Sequence, residues 1–80
     1  MFLQQLIKKY NLKTIESEDC MVLKNEKEKT NIKIMYNSNM MLINDKIYYT
    51  STMIWKNIIP LSIYTTIDSE LSRQKQKNKK

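Results

Sequence analysis

Glycine and histidine are absent from this chain of 80 residues, and cysteine and proline occur once each. Without histidine there is no imidazole to act as an acid, a base or a zinc ligand, and the single Cys20 excludes an intrachain disulfide and a cysteine cluster for a metal. Without glycine there is no nucleophile elbow, dinucleotide-binding fingerprint or phosphate-cradling loop, because each needs backbone at positive φ or very close approach. The sequence therefore predicts a protein that is not an enzyme and uses no cofactor or metal.

Long apolar runs are also missing. No stretch approaches the roughly 18 consecutive apolar residues that a membrane span requires, and Gln4 and Gln5 interrupt the first apolar run, which argues against a secretory signal. With one cysteine and no export signal, a cytoplasmic protein is expected. The first 15 residues are acid-free and carry three lysines but lack the arginine and serine typical of a mitochondrial presequence, so the mitochondrial matrix is the alternative location.

The positive charge is concentrated at the C-terminus. The formal net charge is +6, and the basic residues of segment 71–80, which has no acid, carry five of these charges. A like-charged segment with few apolar residues is expected to be disordered in the free protein. Since each basic side chain that neutralises a phosphate releases counterions, the segment predicts nucleic-acid binding without sequence readout. The alternatives are a solubilising tail and a segment that binds an acidic membrane or protein surface.

Helical spacing of apolar residues predicts an amphipathic helix at the start of the chain. Phe2, Leu3, Leu6, Ile7 and Tyr10 fall within one arc of about 140°, and glutamine and lysine fill the opposite arc. A helix of two to three turns is marginal by itself in water. Its apolar side is therefore expected to lie on a sheet.

Three short segments with strand composition follow this helix. Residues 20–24 are apolar at four of five positions, and residues 25–30 form a charged connection to an alternating segment at 32–36. Residues 40–43 are apolar enough for a central strand. The sequence therefore predicts a small antiparallel sheet.

The second half of the chain allows more than one interpretation. Residues 47–50 favour a strand, and Thr50 or Ser51 is suited to cap a short helix over 53–59 that ends at Pro60. Alternation over 61–67 predicts a last strand. We expect Trp55 to pack against the first helix, with both helices on one face of the sheet.

Together these patterns predict an α+β protein. The expected fold is an antiparallel sheet of three to five strands with two short helices on one face and a disordered basic C-terminal tail. Residues 1–67 are expected to form a single domain, and residues 68–80 a basic C-terminal extension.

Lysines of the predicted domain extend the candidate RNA-binding surface beyond the tail. Lys8 and Lys9 lie on the polar side of the first helix with Lys13 just beyond it, although such residues are also typical of an ordinary solvated helix. Lys24 and Lys33 are expected to project from one sheet face. Aromatic residues can stack on unpaired bases, but most of them are expected to fill the core. The candidate RNA-binding residues are Lys8, Lys9, Lys13, Lys24, Lys33, Arg73, Lys75, Lys77, Lys79 and Lys80.

The order of these segments resembles a known protein family. The segments that carry the resemblance follow the first helix and are Met21-Val22-Leu23-Lys24, a charged turn, Ile32-Lys33-Ile34, an apolar third strand, Asp45-Lys46 and Ile59-Pro60. Over residues 2–63 this order is similar to that of the eukaryotic large-subunit ribosomal protein family numbered thirty-eight. The resemblance implies contact with ribosomal RNA, for which Lys24 and Lys33 are the matching basic positions. The family normally lacks the basic tail.

The leading hypothesis is a structural RNA-binding protein of a ribonucleoprotein. Within it, the large ribosomal subunit is the expected particle, with ribosomal RNA and neighbouring ribosomal proteins as partners and no membrane or small-molecule substrate. One alternative is a small viral or phage-like protein that binds and blocks a partner protein. Another is an Alu-domain protein of the signal recognition particle, since its nine-kilodalton protein has a similar order of one helix and three strands.

Overall fold

Five antiparallel strands follow one another between two helices. The computed structural model describes residues 2–77 of the chain. The elements are α1 (Phe2–Tyr10), β1 (Lys13–Glu16), β2 (Cys20–Asn25), β3 (Thr30–Met35), β4 (Ser38–Ile43), β5 (Lys46–Ile54) and α2 (Leu61–Lys77). The strand order in the sheet is the order in the sequence, so each strand pairs with the next through a hairpin. The predicted α+β class is confirmed, with five strands.

Helix α1 ends at a residue in the left-handed region. Asn11 has a φ of 54°, and the backbone N–H of Leu12 donates to the carbonyl oxygen of Ile7 at 3.0 Å. This is the Schellman pattern, in which the residue after the helix reverses the chain and a carbonyl of the last turn is satisfied. Leu12 is buried in the core, so the cap also directs the chain from α1 into β1.

Asparagine and aspartate take the place of glycine at most other positive-φ positions. Asn37 in the β3–β4 turn has a φ of 58°, and Asn44 and Asp45 in the β4–β5 turn have φ values of 51° and 69°. Short Asx side chains tolerate this region because they hydrogen-bond locally. The Oδ1 atom of Asn44, for example, accepts from the backbone N–H of Asn31 at 2.7 Å. Lys29, with a φ of 55°, is the exception without an Asx side chain.

One face of the sheet carries the core. Inward-pointing residues alternate along β2, β3 and β4, and side chains such as Leu23, Ile32 and Met41 are fully buried. Leu6 of α1 joins the same apolar cluster. Helix α2 contributes residues four apart, namely Ile63, Ile67 and Leu71. Both helices therefore lie on the same face, although the second one is α2 and not the helix expected over 53–59.

The opposite side of the sheet has no helix against it among the described residues. We call this side the open face, meaning the outward-pointing residues that alternate with the core positions in the strand register. Its members are Lys13, Ile15, Cys20, Val22, Lys24, Asn31, Lys33, Met35, Met40, Leu42, Ile47 and Tyr49.

The predicted helix over 53–59 is wrong. Strand β5 continues to Ile54, and a tight turn follows in which the backbone groups of Trp55 and Ile58 pair. The strand preference of the tyrosine, threonine and isoleucine side chains in β5 prevails over the capping potential of Thr50 and Ser51. Ile54 takes the core position, whereas Trp55 is 48% exposed and does not belong to the apolar cluster of the described residues. The expected packing of Trp55 against α1 is therefore also wrong.

The predicted strand over 61–67 is wrong as well, because these residues form the first half of α2. The buried positions recur every four residues from Ile63 to Leu71, which is a helical period. Over residues 61–67 alone, apolar and polar residues also alternate as they do in a strand. Pro60 precedes the helix, and its carbonyl accepts from the N–H of Ile63 at 3.0 Å. Proline is favoured at helix starts because its φ is already helical.

Helix α2 includes most of the C-terminal segment that the sequence predicts to be disordered. Residues 71–77 are helical, so the predicted disorder is not confirmed there, and residues 78–80 lie outside the described residues. The expected boundary between residues 67 and 68 falls within α2, between the buried Ile67 and Leu71. Leu71 packs α2 against the core. Residues 71–77 are therefore helical, although their composition alone indicates a solvated tail.

Strand β1 was not predicted, because the burial signal of a strand is missing from it. All four residues from Lys13 to Glu16 are exposed. The strand is held by pairing with β2, with Thr14 opposite Leu23 and Ile15 opposite Val22. An exposed edge strand of four residues need not alternate apolar with polar residues, and that alternation is the sequence signal of a strand.

Lys29→Gly should stabilise the protein, because glycine removes the steric cost of a side chain at positive φ. We expect the free energy of unfolding to rise by about 0.5–1 kcal/mol in urea denaturation. Lys27→Gly is the matched control: it removes the same charge from the same turn at a residue without positive φ, and should be neutral or destabilising by up to about 1 kcal/mol. Equal effects of the two variants would contradict this account of the turn.

Ile54→Ala and Trp55→Ala test the end of β5 with adjacent residues of opposite exposure. Removal of the fully buried Ile54 side chain should cost about 2–5 kcal/mol. Removal of the half-exposed Trp55 should cost less than about 2 kcal/mol, despite the larger side chain. A larger loss for Trp55→Ala in denaturant unfolding would mean that the tryptophan belongs to the core.

Candidate nucleic-acid interface

Because each strand pairs with the next through a hairpin, alternate turns lie at opposite ends of the sheet. The β2–β3 turn and the β4–β5 turn lie at one end, together with the start of β1, while the β1–β2 and β3–β4 turns lie at the other. The C-termini of both helices lie at the first end. The Nδ2 atom of Asn25 donates to the carbonyl oxygen of Tyr10 at 2.9 Å, and Asn44 Nδ2 donates to Gln74 Oε1 at 2.7 Å.

Charge is unevenly distributed between these ends. The first end, which we call the basic end, is defined by five lysines from several elements: Lys13, Lys24, Lys27, Lys29 and Lys46. Three acids accompany them there, Glu26, Glu28 and Asp45. The opposite end, the acidic end, holds Glu16, Glu18 and Asp19, with Lys56 in the turn after β5. The fold is therefore electrically polar along its strands.

Three lysines of the basic end line one cleft beside β1. Lys13 and Lys24 face each other across the β1–β2 pair, and Lys27 extends the cleft, whose volume is about 670 Å³. The Lys24 ammonium lies 3.6 Å from a carboxylate oxygen of Glu26. An ion pair with so exposed a carboxylate contributes little, so it leaves Lys24 able to bind another anion.

A second cavity, of about 290 Å³, connects the β2–β3 turn to α2. Lys27 lines it from the turn, Lys9 from α1, and Leu71 and Gln74 from α2. The C-terminal part of α2 therefore lies beside the β2–β3 turn of the basic end. Cations are favourable at this position, because the C-terminus of a helix carries a partial negative charge.

Lys9 has a structural partner. Its ammonium lies 3.0 Å from Asp68 Oδ1, and the Tyr10 hydroxyl donates to the same oxygen at 2.6 Å. These hydrogen bonds, that of Tyr10 first, lower the pKa of Asp68, and the bond to Asp68 raises the pKa of Lys9. Burial and then the bond to Asp68 raise the pKa of Tyr10. Lys9 thus helps to join α1 to α2, whereas Lys8 is exposed on α1.

The other sequence-predicted candidates fall into two groups. Lys24 and Lys33 both belong to the open face, since Lys33 lies opposite Val22 in the register, which confirms that they project from one side of the sheet. In α2, Arg73 pairs with Glu70 of the preceding turn. Lys75 and Lys77 lie in the last turn of the same helix, and Lys79 and Lys80 lie outside the described residues.

Sequence reasoning missed three lysines of the basic end, Lys27, Lys29 and Lys46. They occur beside acids in turns of mixed charge, where nothing in the local composition marks them. The available signal was topological: in a run of hairpins, every second turn returns to the same end of the sheet.

The aromatic residues are mainly structural. Tyr36 is buried, with its hydroxyl 3.5 Å from Glu16 Oε2, and burial raises its pKa and that of the half-buried Tyr64. Tyr48 is half-buried and packs against the core. Tyr49, at 74% exposure on the open face, and Trp55 at the acidic end are the accessible aromatic residues of the described region.

The chain matches no protein-family model, no curated protein and no solved structure. The resemblance to the ribosomal family therefore stays a prediction. Within residues 2–77, no helix is both long and apolar enough to cross a membrane. The same region holds no cluster of three or more acidic or cysteine side chains suited to a metal ion.

Asp68 should make the stability of the protein sensitive to acid. Because the pKa of Asp68 is lowered on folding, its contribution is present above the unfolded pKa of about 3.9 and is lost as the pH falls through the folded value. Asp68→Asn should therefore lower the free energy of unfolding near neutral pH and weaken its dependence on pH below about 4.

Asp45→Asn is the control for this experiment. Asp45 is an exposed turn residue at positive φ, a conformation that asparagine also tolerates. Urea denaturation across the acidic range should give the same pH profile for this variant as for the unmodified protein. An unchanged profile for Asp68→Asn would show that the contacts of Asp68 add nothing to stability.

Proposed function

We propose that the protein binds RNA as a non-catalytic structural component of a ribonucleoprotein and that it contacts the phosphate backbone through the basic end. The observation that carries the proposal is the separation of charge between the two ends of the sheet. Five lysines from strands and turns distant in sequence converge where α2 leads into the basic C-terminal segment, and the β1–β2 turn places its acids at the far end.

The chemistry of the basic end favours phosphates over base edges. Lysine presents a compact ammonium on a flexible stem, which suits a phosphate oxygen and lacks the planar, bidentate fork of arginine. Lys27 and Lys29 lie in the exposed turn between β2 and β3, and neither belongs to a helix. We therefore propose binding to structured RNA through backbone position and shape, with little dependence on sequence.

The large ribosomal subunit is the particle that we propose, with ribosomal RNA and adjacent ribosomal proteins as partners. This part of the proposal is supported by the resemblance of residues 2–63 to the ribosomal family and by the basic C-terminal segment. The Alu domain of the signal recognition particle is the alternative particle. Both involve structured RNA, so the basic end has the same role in either one.

Lys27→Gln and Lys56→Gln form a matched pair that tests RNA binding by the basic end. Each removes one exposed turn lysine, from the basic end and the acidic end respectively. Fluorescence anisotropy with a labelled RNA hairpin over a range of salt concentrations gives the slope of the logarithm of affinity against that of salt. We expect Lys27→Gln to reduce this slope by about 0.7–0.9, and Lys56→Gln to leave it unchanged. Equal effects, or affinity independent of salt, would contradict the proposal.

The C-terminal segment requires a separate variant. Deletion of residues 71–80 would remove the buried Leu71 and confound binding with folding. Truncation after Gln74 keeps that anchor and removes Lys75, Lys77, Lys79 and Lys80. If the segment contacts phosphates, the salt slope should fall by about three units, whereas an unchanged slope would make it a solubilising tail.

Sedimentation of cell extracts tests the particle. We expect the unmodified protein to migrate with large ribosomal subunits in a sucrose gradient, and raised salt to release it only partly, since phosphate contacts weaken with salt while contacts of the folded core remain. Migration at the top of the gradient, free of any particle, would reject the ribosomal assignment.

A further inference from the structure

The open face is an apolar surface without a covering element among the described residues. A row of aligned residues crosses all five strands, with Ile15, Val22, Lys33, Leu42 and Ile47 side by side. Ile15 is 49% exposed and Ile47 is 54% exposed. Antiparallel sheets that face water usually show polar residues on the solvated side. Here four of the five residues in the row are aliphatic, which is typical of a surface that another molecule covers.

The charge of the open face is of one sign. Its members include Lys13, Lys24 and Lys33, and none of its members, as defined from the described strands, is acidic. Lys33 lies at the centre of the aliphatic row and forms no ion pair within residues 2–77. A complementary surface must therefore combine apolar side chains with at least one carboxylate opposite Lys33.

A second copy of the chain does not meet this requirement. Two open faces in contact would bring three lysines toward three lysines, and juxtaposed like charges disfavour association. The footprint is also small. Four spacings of about 4.8 Å between strands give a width of about 19 Å, and the register from Lys13 to Tyr49 spans about 14 Å along the strands. The resulting area of about 270 Å² is well below the roughly 800 Å² per partner of a standard stable interface, so the open face by itself suits a small partner that binds transiently.

Nucleobases are a poor match as well. Single-stranded RNA is held on sheets by several aromatic side chains that stack on successive bases. The open face has one aromatic residue, Tyr49, at its edge strand, and the rest of its apolar surface is aliphatic or contains sulfur. Such side chains pack against the aliphatic side chains of a protein partner.

A helix fits the dimensions. An α-helix with its side chains is about 10–12 Å in diameter, so a helix that lies across the strands fits within the extent of about 14 Å along them, and three to four turns match the width of about 19 Å. We propose that the open face is a docking site for an amphipathic helix of another protein, whose apolar stripe covers Val22, Leu42 and Ile47 and whose carboxylate pairs with Lys33. The site is separate from the lysines of the β2–β3 and β4–β5 turns, and the proposal does not depend on RNA binding.

The first step of the test identifies what covers the open face. The full chain, with a photo-crosslinking amino acid in place of Leu42, is expressed in the cells that produce the protein, and the crosslinked product is sequenced by mass spectrometry. The control carries the same group in place of Gln4, an exposed residue of α1 on the other side of the molecule. We expect Leu42, but not Gln4, to crosslink to a protein segment with helical apolar spacing and acidic residues.

The second step tests the charge pairing. The crosslinked segment is synthesised as a peptide, and its affinity is measured by fluorescence anisotropy. Lys33→Glu should weaken binding about tenfold or more, and reversal of the facing acidic residue to lysine in the peptide should restore it. Lys33→Gln, which introduces no repulsion, should have a smaller effect, and Lys56→Glu none. Since Lys33 is exposed, these variants should keep the thermal unfolding of the parent protein.

Several outcomes would overturn the inference. They are crosslinks from Leu42 to RNA alone, to a second copy of the chain, or to nothing, and peptide affinity that is insensitive to Lys33→Glu. Lys27→Gln separates this proposal from the previous one: it should reduce the salt dependence of RNA binding and leave peptide affinity unchanged. If RNA binding fails its test and peptide binding does not, the proposed function is wrong. If only peptide binding fails, the docking proposal is wrong.

Discussion

Each strand of the sheet turns back beside its predecessor, and this single constraint determines both the faces and the ends of the molecule. The register of the hairpins assigns alternate residues to the core or to the open face. The same reversals assign alternate turns to the basic end or the acidic end. The turns must form without glycine, which is why Asn37, Asn44 and Asp45 occupy positive φ. Several asparagines of this chain therefore have a structural role in its turns.

The two helices complete the core from one side only. Leu6 of α1 and the four-residue repeat of α2 cover the inner face, and the Tyr10–Asp68 hydrogen bond joins the helices to each other. Because both helices run toward the basic end, Gln74 of α2 lines the same cavity as Lys27 of the β2–β3 turn. One-sided coverage also leaves the open face available. The molecule thus presents two surfaces that share Lys13 and Lys24: the basic end, suited to phosphate, and the open face, whose aliphatic row is suited to a protein.

The sequence predicted the elements whose pattern is strong and local. The spacing of Leu6, Ile7 and Tyr10 identified α1, and the alternation around Ile32 and Ile34 identified β3. Prediction failed where the same residues suit two structures. The segment beginning at Leu61 alternates as a strand does over seven residues, and only the extension to Leu71 shows the helical period. Trp55 was assigned to the core by its size, but the strand reaches Ile54 and turns the next side chain toward solvent.

The candidate site was harder to predict than the fold because it depends on topology. Lys24 and Lys33 were identified from their strands, but the meeting of Lys13, Lys27 and Lys46 requires knowledge that five strands follow in order. The most direct measurement is a titration of isotope-labelled protein with a structured RNA, followed by backbone amide chemical shifts. The account predicts the largest shifts in the β2–β3 and β4–β5 turns and the last turn of α2. Largest shifts in the β1–β2 and β3–β4 turns, at the acidic end, would contradict it.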